Sequence, residues 1–155
     1  RAVGQVNLAD STSNEWYVTG VQLEAGSVAS DFEFLPVDVN TQRCQRYYRL
    51  IDDGAATSVI VGCALYSASV AYAVINCTPE MRALPSLDQT TGTDIYRIIA
   101  NSANLNFDSF NTSTGNSTNK YVQITNADTV SGTAGHAGVF KSATTAAFLA
   151  LDSEL

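Results

Sequence analysis

From Thr57 to the C-terminus the chain is a series of short β-prone runs, separated by turn residues about every ten positions. This rhythm predicts an antiparallel β-sandwich or barrel of roughly eight strands. The candidates are Thr57–Tyr66, Ala68–Thr78, Ser86–Asp88, Ile95–Ala100, Leu105–Phe110, Lys120–Thr125, Gly138–Lys141 and Ala146–Leu151. The first two are the most apolar and are expected at the centre, buried on both faces. Val59, Val61, Cys63 and Leu65 would point one way, and Val70, Tyr72, Val74 and Ile75 would belong to the partner strand. The stretch from Pro79 to Pro85 should be an edge or a bent connection, because proline cannot donate to a ladder. Asn111–Asn119 reads as an exposed hairpin loop and Ser131–Gly138 as a second, flexible loop. No internal repeat is present.

The opening third has a different pattern. Val3, Val6 and Leu8 alternate with Gln5 and Asn7, turn residues follow from Ala9 to Asn14, and a second β-prone run carries Trp16, Val18, Val21 and Leu23. The two runs are expected to pair as a hairpin-like arm, which is too small to stand alone in water. Gly20 suggests a bulge or a close backbone approach. Phe32, Phe34 and Leu35 precede Pro36, which keeps the residue before it extended. Asp38 or Asn40 is then placed to cap a helix with Gln42, Arg43, Gln45, Arg46 and Arg49 on its polar face. Its apolar stripe would be Cys44, Tyr47, Tyr48 and Ile51, and Gly54 would close it after Asp52 and Asp53.

The string Trp16-Tyr17-Val18-Thr19-Gly20-Val21-Gln22-Leu23-Glu24, continuing to Asp31-Phe32-Glu33 and followed by Cys44-Gln45-Arg46-Tyr47-Tyr48, resembles a segment of bacteriophage tail-fibre and virion structural proteins. Met81-Arg82 before Pro85, and the alanine-rich close from Ala146 to Leu155, are weaker echoes of the same proteins. The resemblance covers about a quarter of the chain. It implies that residues 1–36 are the end of a preceding jelly-roll-like domain and that residues 37–155 form a separate C-terminal tip domain beginning with the short helix. The start at Arg1, without a methionine or a signal-like apolar region, fits the tail of something longer. The expected fold is mostly β: an antiparallel, jelly-roll-like sandwich with an N-terminal β arm and one short α-helix. The resemblance also implies a homotrimer joined to an upstream fibre or virion protein. Trp16, Val21, Leu23, Phe32, Phe34, Cys44, Tyr47, Tyr48 and Ile51 would be the trimer or interdomain anchors, since an arm and a single striped helix need partners.

Charge narrows the partners. The net charge of −7, with only 15% charged residues, argues against nucleic acid, whose binding needs clustered Lys and Arg. It argues equally against an anionic membrane surface, and no run approaches the length of a membrane span. The 45% apolar content fits a folded chain.

Candidate chemistry is sparse. His136, the sole histidine, sits in a Gly-rich loop with no Cys or Asp at triad or metal spacing and reads as a solvated loop residue. Asp31, Glu33 and Asp38 lack the regular oxygen-ligand spacing of a calcium loop and read as solvated or capping carboxylates. Nothing selects Asp88 with Asp94, or Asp108 with Asp128, as a glycosidase pair. Cys44, Cys63 and Cys77 are odd in number and fit no zinc spacing, so they read as small buried hydrophobes or as one Cys63–Cys77 bridge. The expectation is a non-enzymatic virion protein without metal or cofactor, whose distal domain attaches to a host cell-surface glycan or protein. A capsid decoration or neck-fibre protein without ligand is the alternative, ahead of a glycan depolymerase. Tyr66, Tyr96 and Tyr121 lie near strand ends, where a ring can stack on a sugar or simply pack. The receptor-contact candidates are Tyr96, Asn104, Asn106, Asn111, Asn116, Asn119, Tyr121 and His136, because loops on a rigid scaffold carry recognition.

Overall fold

The computed structural model describes residues 13, 15, 17–28, 30–54 and 58–154, which divide into two units, Arg1–Pro36 and Val37–Leu155. The first expected strand, Ala2–Leu8, and the anchor Trp16 lie outside the described residues. In the opening unit no described residue is in a strand, so residues 17–24 do not form the expected ladder. Side-chain contacts link the described residues of this unit. The Ser30 N–H donates to the Glu24 carboxylate at 2.6 Å, and the Glu33 N–H donates to the Gln22 amide oxygen at 2.9 Å. The Phe32 and Phe34 rings meet edge to face, 4.7 Å between centroids. Val18, Val21, Phe34 and the wholly exposed Leu23 show their apolar side chains to solvent.

In the second unit α1 spans Val37–Gln45. It starts directly after Pro36, so Asp38 lies in the first turn and Asn40 inside the helix; neither is the cap residue. The helix is shorter than its sequence pattern suggests. Tyr48–Asp52 forms strand β1, paired antiparallel with β10 (Leu149–Asp152) through Tyr48↔Asp152 and Leu50↔Ala150. Aromatic and β-branched residues prefer the pleated surface to another helical turn. The expected helical stripe therefore dissolves. Cys44 is exposed on the helix, Tyr47 lies in the turn, Tyr48 is on the exposed face of β1, and Ile51 packs against the core. Gly54 closes a strand, not a helix, at φ 74°; a Cβ there would lie 2.3 Å from the Ala147 carbonyl oxygen.

The remaining strands are β2 (Val59–Leu65), β3 (Ala71–Asn76), β4 (Ser86–Gln89), β5 (Tyr96–Ala100), β6 (Ala103–Phe107), β7 (Phe110–Thr112), β8 (Tyr121–Asn126) and β9 (Ala137–Ser142). They build a three-stranded sheet in the order β1-β10-β4 and a seven-stranded sheet in the order β6-β5-β9-β2-β3-β8-β7, antiparallel throughout. One core holds them together as a β-sandwich: Leu149 and Leu151 from the smaller sheet join Leu65, Ile75, Ile98, Ile124 and Phe140 from the larger. Tyr96, Phe107, Phe110 and Phe140 form an aromatic cluster within it, with centroids 4.6 to 5.8 Å apart.

The mostly-β antiparallel sandwich is as expected, with ten strands. The expected Leu105–Phe110 strand is two, β6 and β7, broken at Asp108 and Ser109. β5 and β6 are joined by Asn101 and Ser102 alone, at φ 48° and 61°. Two consecutive left-handed residues are what a twisted two-residue hairpin requires. The central strands are not buried on both faces. In β3 the inward residues are Ala71, Ala73 and Ile75, so Tyr72 and Val74 face out, as do Gly62 and Ala64 of β2.

Candidate receptor-binding face

The outward side of the seven-stranded sheet carries the most distinctive surface chemistry of the second unit. Side chains in a strand alternate between faces, so the register fixes which residues are neighbours there. One row runs Ala137–Ala64–Tyr72–Thr125–Asn111 across five strands. Parallel to it, Asn104–Ile99–Val139–Gly62 and Val74–Gln123 lie on the same face, and Asn76 is opposite Tyr121 beyond them. Five strands at about 4.8 Å spacing give a row about 19 Å long.

Its middle is a shallow, open trough of about 440 Å³, floored by Gly62, Ala64 and Ala137 and walled by Tyr72 and Val74. A Cβ added at Gly62 would meet nothing within 4 Å, so the glycine leaves the trough its depth. Beside it the Tyr66 ring, mostly in solvent, tilts against Tyr72 with centroids 5.4 Å apart. Tyr66 sits on the β2–β3 connection, which is held by Tyr66 N–H to Val70 O at 2.9 Å and by Ser67 Oγ, which accepts from the Val70 and Ser69 N–H groups. The ring pair therefore stands on a stiff hairpin. On the other flank Asn116, in a single 3-10 turn at Thr114–Asn116, donates to Gln123 Oε1 at 3.0 Å and to Ser113 Oγ at 3.1 Å. These bonds use Asn116 Nδ2 and Gln123 Oε1 and do not involve the Gln123 amide nitrogen or the Asn116 side-chain oxygen. The exposed Tyr66 ring, the half-buried Tyr72 ring, amides and the Thr125 hydroxyl thus lie on or beside the β3–β8–β7 half of the face.

The expected contact residues separate. Asn111, Asn116 and Tyr121 border this half, while Asn104 and Asn106 lie exposed on β6 at the far edge of the same sheet. Asn119 turns to Glu80, donating at 2.6 Å. His136 is half-buried before β9 beside Ser131, Thr133 and Asn101, and its carbonyl accepts from Leu65 N–H at 2.9 Å. Tyr96 is a correction: it is fully buried, and its hydroxyl donates to Phe148 O at 2.5 Å. It begins its strand on the inward face, so its position at a strand end gave it no exposure. Desolvation, with a smaller push from Asp52, raises its pKa to about 12. Tyr72 is a surface group that the sequence does not reveal, because its strand is apolar enough to be expected buried on both faces.

The acidic residues act as local acceptors. Asp88 accepts from the Tyr48 hydroxyl at 3.0 Å, Asp108 from Asp94 N–H at 2.9 Å, and Asp128 from Asp108 N–H at 2.7 Å. Asp52 is buried; its Oδ1 accepts from the Ser58 hydroxyl and Gly54 N–H, and its Oδ2 has no partner. Among the described residues no group of three or more His, Cys, Asp and Glu is placed to hold a metal ion, and no helix is long and apolar enough to cross a membrane. All three cysteines are free, Cys63 and Cys77 within the core and Cys44 at the surface. Compared with known proteins, the chain matches no family model, no curated protein and no solved structure.

Proposed function

We propose that this chain is the distal, non-enzymatic attachment part of a bacteriophage tail fibre, and that it holds a host cell-surface glycan on the β3–β8–β7 half of the outer face. One observation carries the reading: a pre-positioned tyrosine pair, Tyr66 exposed and Tyr72 half-buried, beside amide and hydroxyl groups on a rigid sheet. Sugars offer apolar C–H faces to aromatic rings and a rim of hydroxyls to amides, so this mixture suits them. A stiff sheet also limits the entropy lost on binding. The exposed apolar side chains of the opening unit supply the surface for joining copies and the upstream fibre. The test is adsorption of the labelled chain to host cells. Binding is expected to survive protease treatment of the cells and to be lost on periodate oxidation of their glycans; the reverse pattern would refute the glycan.

A second reading, a decoration or neck-fibre protein without ligand, is favoured by the other half of the same face. There Ile99, Val139, Gly62 and Ala64 form an apolar surface without central hydrogen-bonding side chains, better suited to another protein. Gold-labelled antibody on intact virions separates the two, since the first reading requires label at the fibre end.

A further inference from the structure

The two sheets have four edge strands, and three carry features that oppose pairing with another chain. β1 has a bulge between Leu50 and Asp52 and carries the charges of Arg49 and Asp52. β4 and β7 are clasped to each other, because the Gln89 side chain donates to Phe110 O and accepts from Phe110 N–H, both at 2.8 Å. β7 is also only three residues long. Edge strands with bulges, charges or covers resist edge-to-edge association, and those without them invite it.

β6 has none of these features. Ala103–Phe107 carries no charge and no proline, pairs with β5 without a register shift, and among the described residues makes no backbone hydrogen bond other than to β5. Its sequence is complementary to itself in the antiparallel sense. With a dyad at Leu105, Ala103 of one copy faces Phe107 of the other, small against large. Asn104 faces Asn106 on the outer side, where amides pair with amides, and the two half-buried Leu105 side chains meet. No like charges are opposed.

We infer that two copies of this chain associate through β6, antiparallel about Leu105, joining their seven-stranded sheets into one. This contact is twofold and separate from any association through the opening arm and the Cys44–Ile51 segment, where the resemblance implies threefold packing. It also leaves the tyrosine half of the face clear, so it stands or falls independently of glycan binding. A five-residue pairing buries little area and belongs with weak interfaces, formed at high concentration or when the copies are already tethered.

The test is sedimentation equilibrium of the full chain up to about millimolar concentration, with two variants at exposed positions. Asn104→Glu/Asn106→Glu sets carboxylates opposite each other twice across the dyad. Asn104→Lys/Asn106→Glu sets opposite charges there instead, and in both variants the residue at 106 faces Arg97 of its own chain. The wild type should show a dimer term, the first variant should weaken it at least tenfold, and the second should keep or strengthen it. Thermal melts confirm that each is folded. A wild type without a dimer term overturns the inference, and so does one whose association is the same in both variants.

Discussion

The side-chain amide of Gln89, at the end of β4, makes both backbone hydrogen bonds that a neighbouring strand would make to Phe110 in β7, each at 2.8 Å. One side chain thereby fastens the edge of the smaller sheet to the edge of the larger and closes that side of the sandwich. Phe110 is buried, so its N–H and C=O have no water to turn to if the amide is removed.

Gln89→Ala should therefore lower stability by about 2–3 kcal/mol, the cost of two buried backbone groups without partners. Gln89→Glu keeps the shape but loses the donor and sets a carboxylate against Phe110 O, so it should destabilise as well. Urea unfolding checks both. A midpoint unchanged in both variants would show that the clasp contributes nothing.

Asn126 does comparable work inside the larger sheet. Its Oδ1 accepts from Ala71 N–H at 2.8 Å, and its Nδ2 donates to Ser69 O at 2.9 Å and Asp128 O at 2.6 Å, tying the end of β8 to the β2–β3 hairpin. Asn126→Ala should cost about 2–4 kcal/mol, more than Asn126→Ser, which keeps a short polar group. Because this hairpin carries Tyr66, hydrogen exchange of residues 66–70 should rise in the alanine variant.

How far the sequence foretold the molecule depends on how sharply inward and outward positions differ. β8 was plain, since Val122 and Ile124 alternate with Tyr121, Gln123 and Thr125. The two central strands were opaque. Gly62 and Ala64 look as apolar as the inward Cys63 and Leu65, so a face left open to solvent read as buried on both sides. The residues from Tyr48 to Ile51 satisfied a helical stripe and a strand alternation equally well, and pairing with β10 decided for the strand. The outer-face amides Asn111 and Asn116 were legible as members of an Asn-rich stretch. Tyr72, whose ring tilts against Tyr66, was not, because only the register puts it on the outer face.

The thiols should report this layering. Burial pushes the Cys63 thiol up to about 11 and raises Cys77 as well, against a smaller opposing pull from Arg49. The thiolate is the reactive form, so at pH 8 a disulfide reagent should modify the exposed Cys44 quickly and the other two only on unfolding. Three equally fast thiols would contradict the core placement.

Tyr96 should make the fold sensitive to alkali. Its pKa is raised from 10.0 to about 12 in the folded chain, so the folded state holds the proton more tightly than the unfolded one. That contribution to stability is complete below pH 10 and is lost as pH rises through 12. Tyr96→Phe loses the bond to Phe148 O and should be less stable at pH 8, yet its stability should fall less steeply between pH 10 and 12. Parallel pH profiles from denaturant unfolding would refute this.

The central claim concerns Tyr66 and Tyr72, and the most direct measurement is the affinity of the chain for polysaccharide from the host cell surface, with and without the Tyr66→Ala/Tyr72→Ala changes. Tyr66 is exposed and Tyr72 is half-buried on the outer face, and neither belongs to the core, so the fold should persist. The account predicts a loss of about tenfold or more in affinity, or about 1.4 kcal/mol. Undiminished binding by the folded double variant would contradict it.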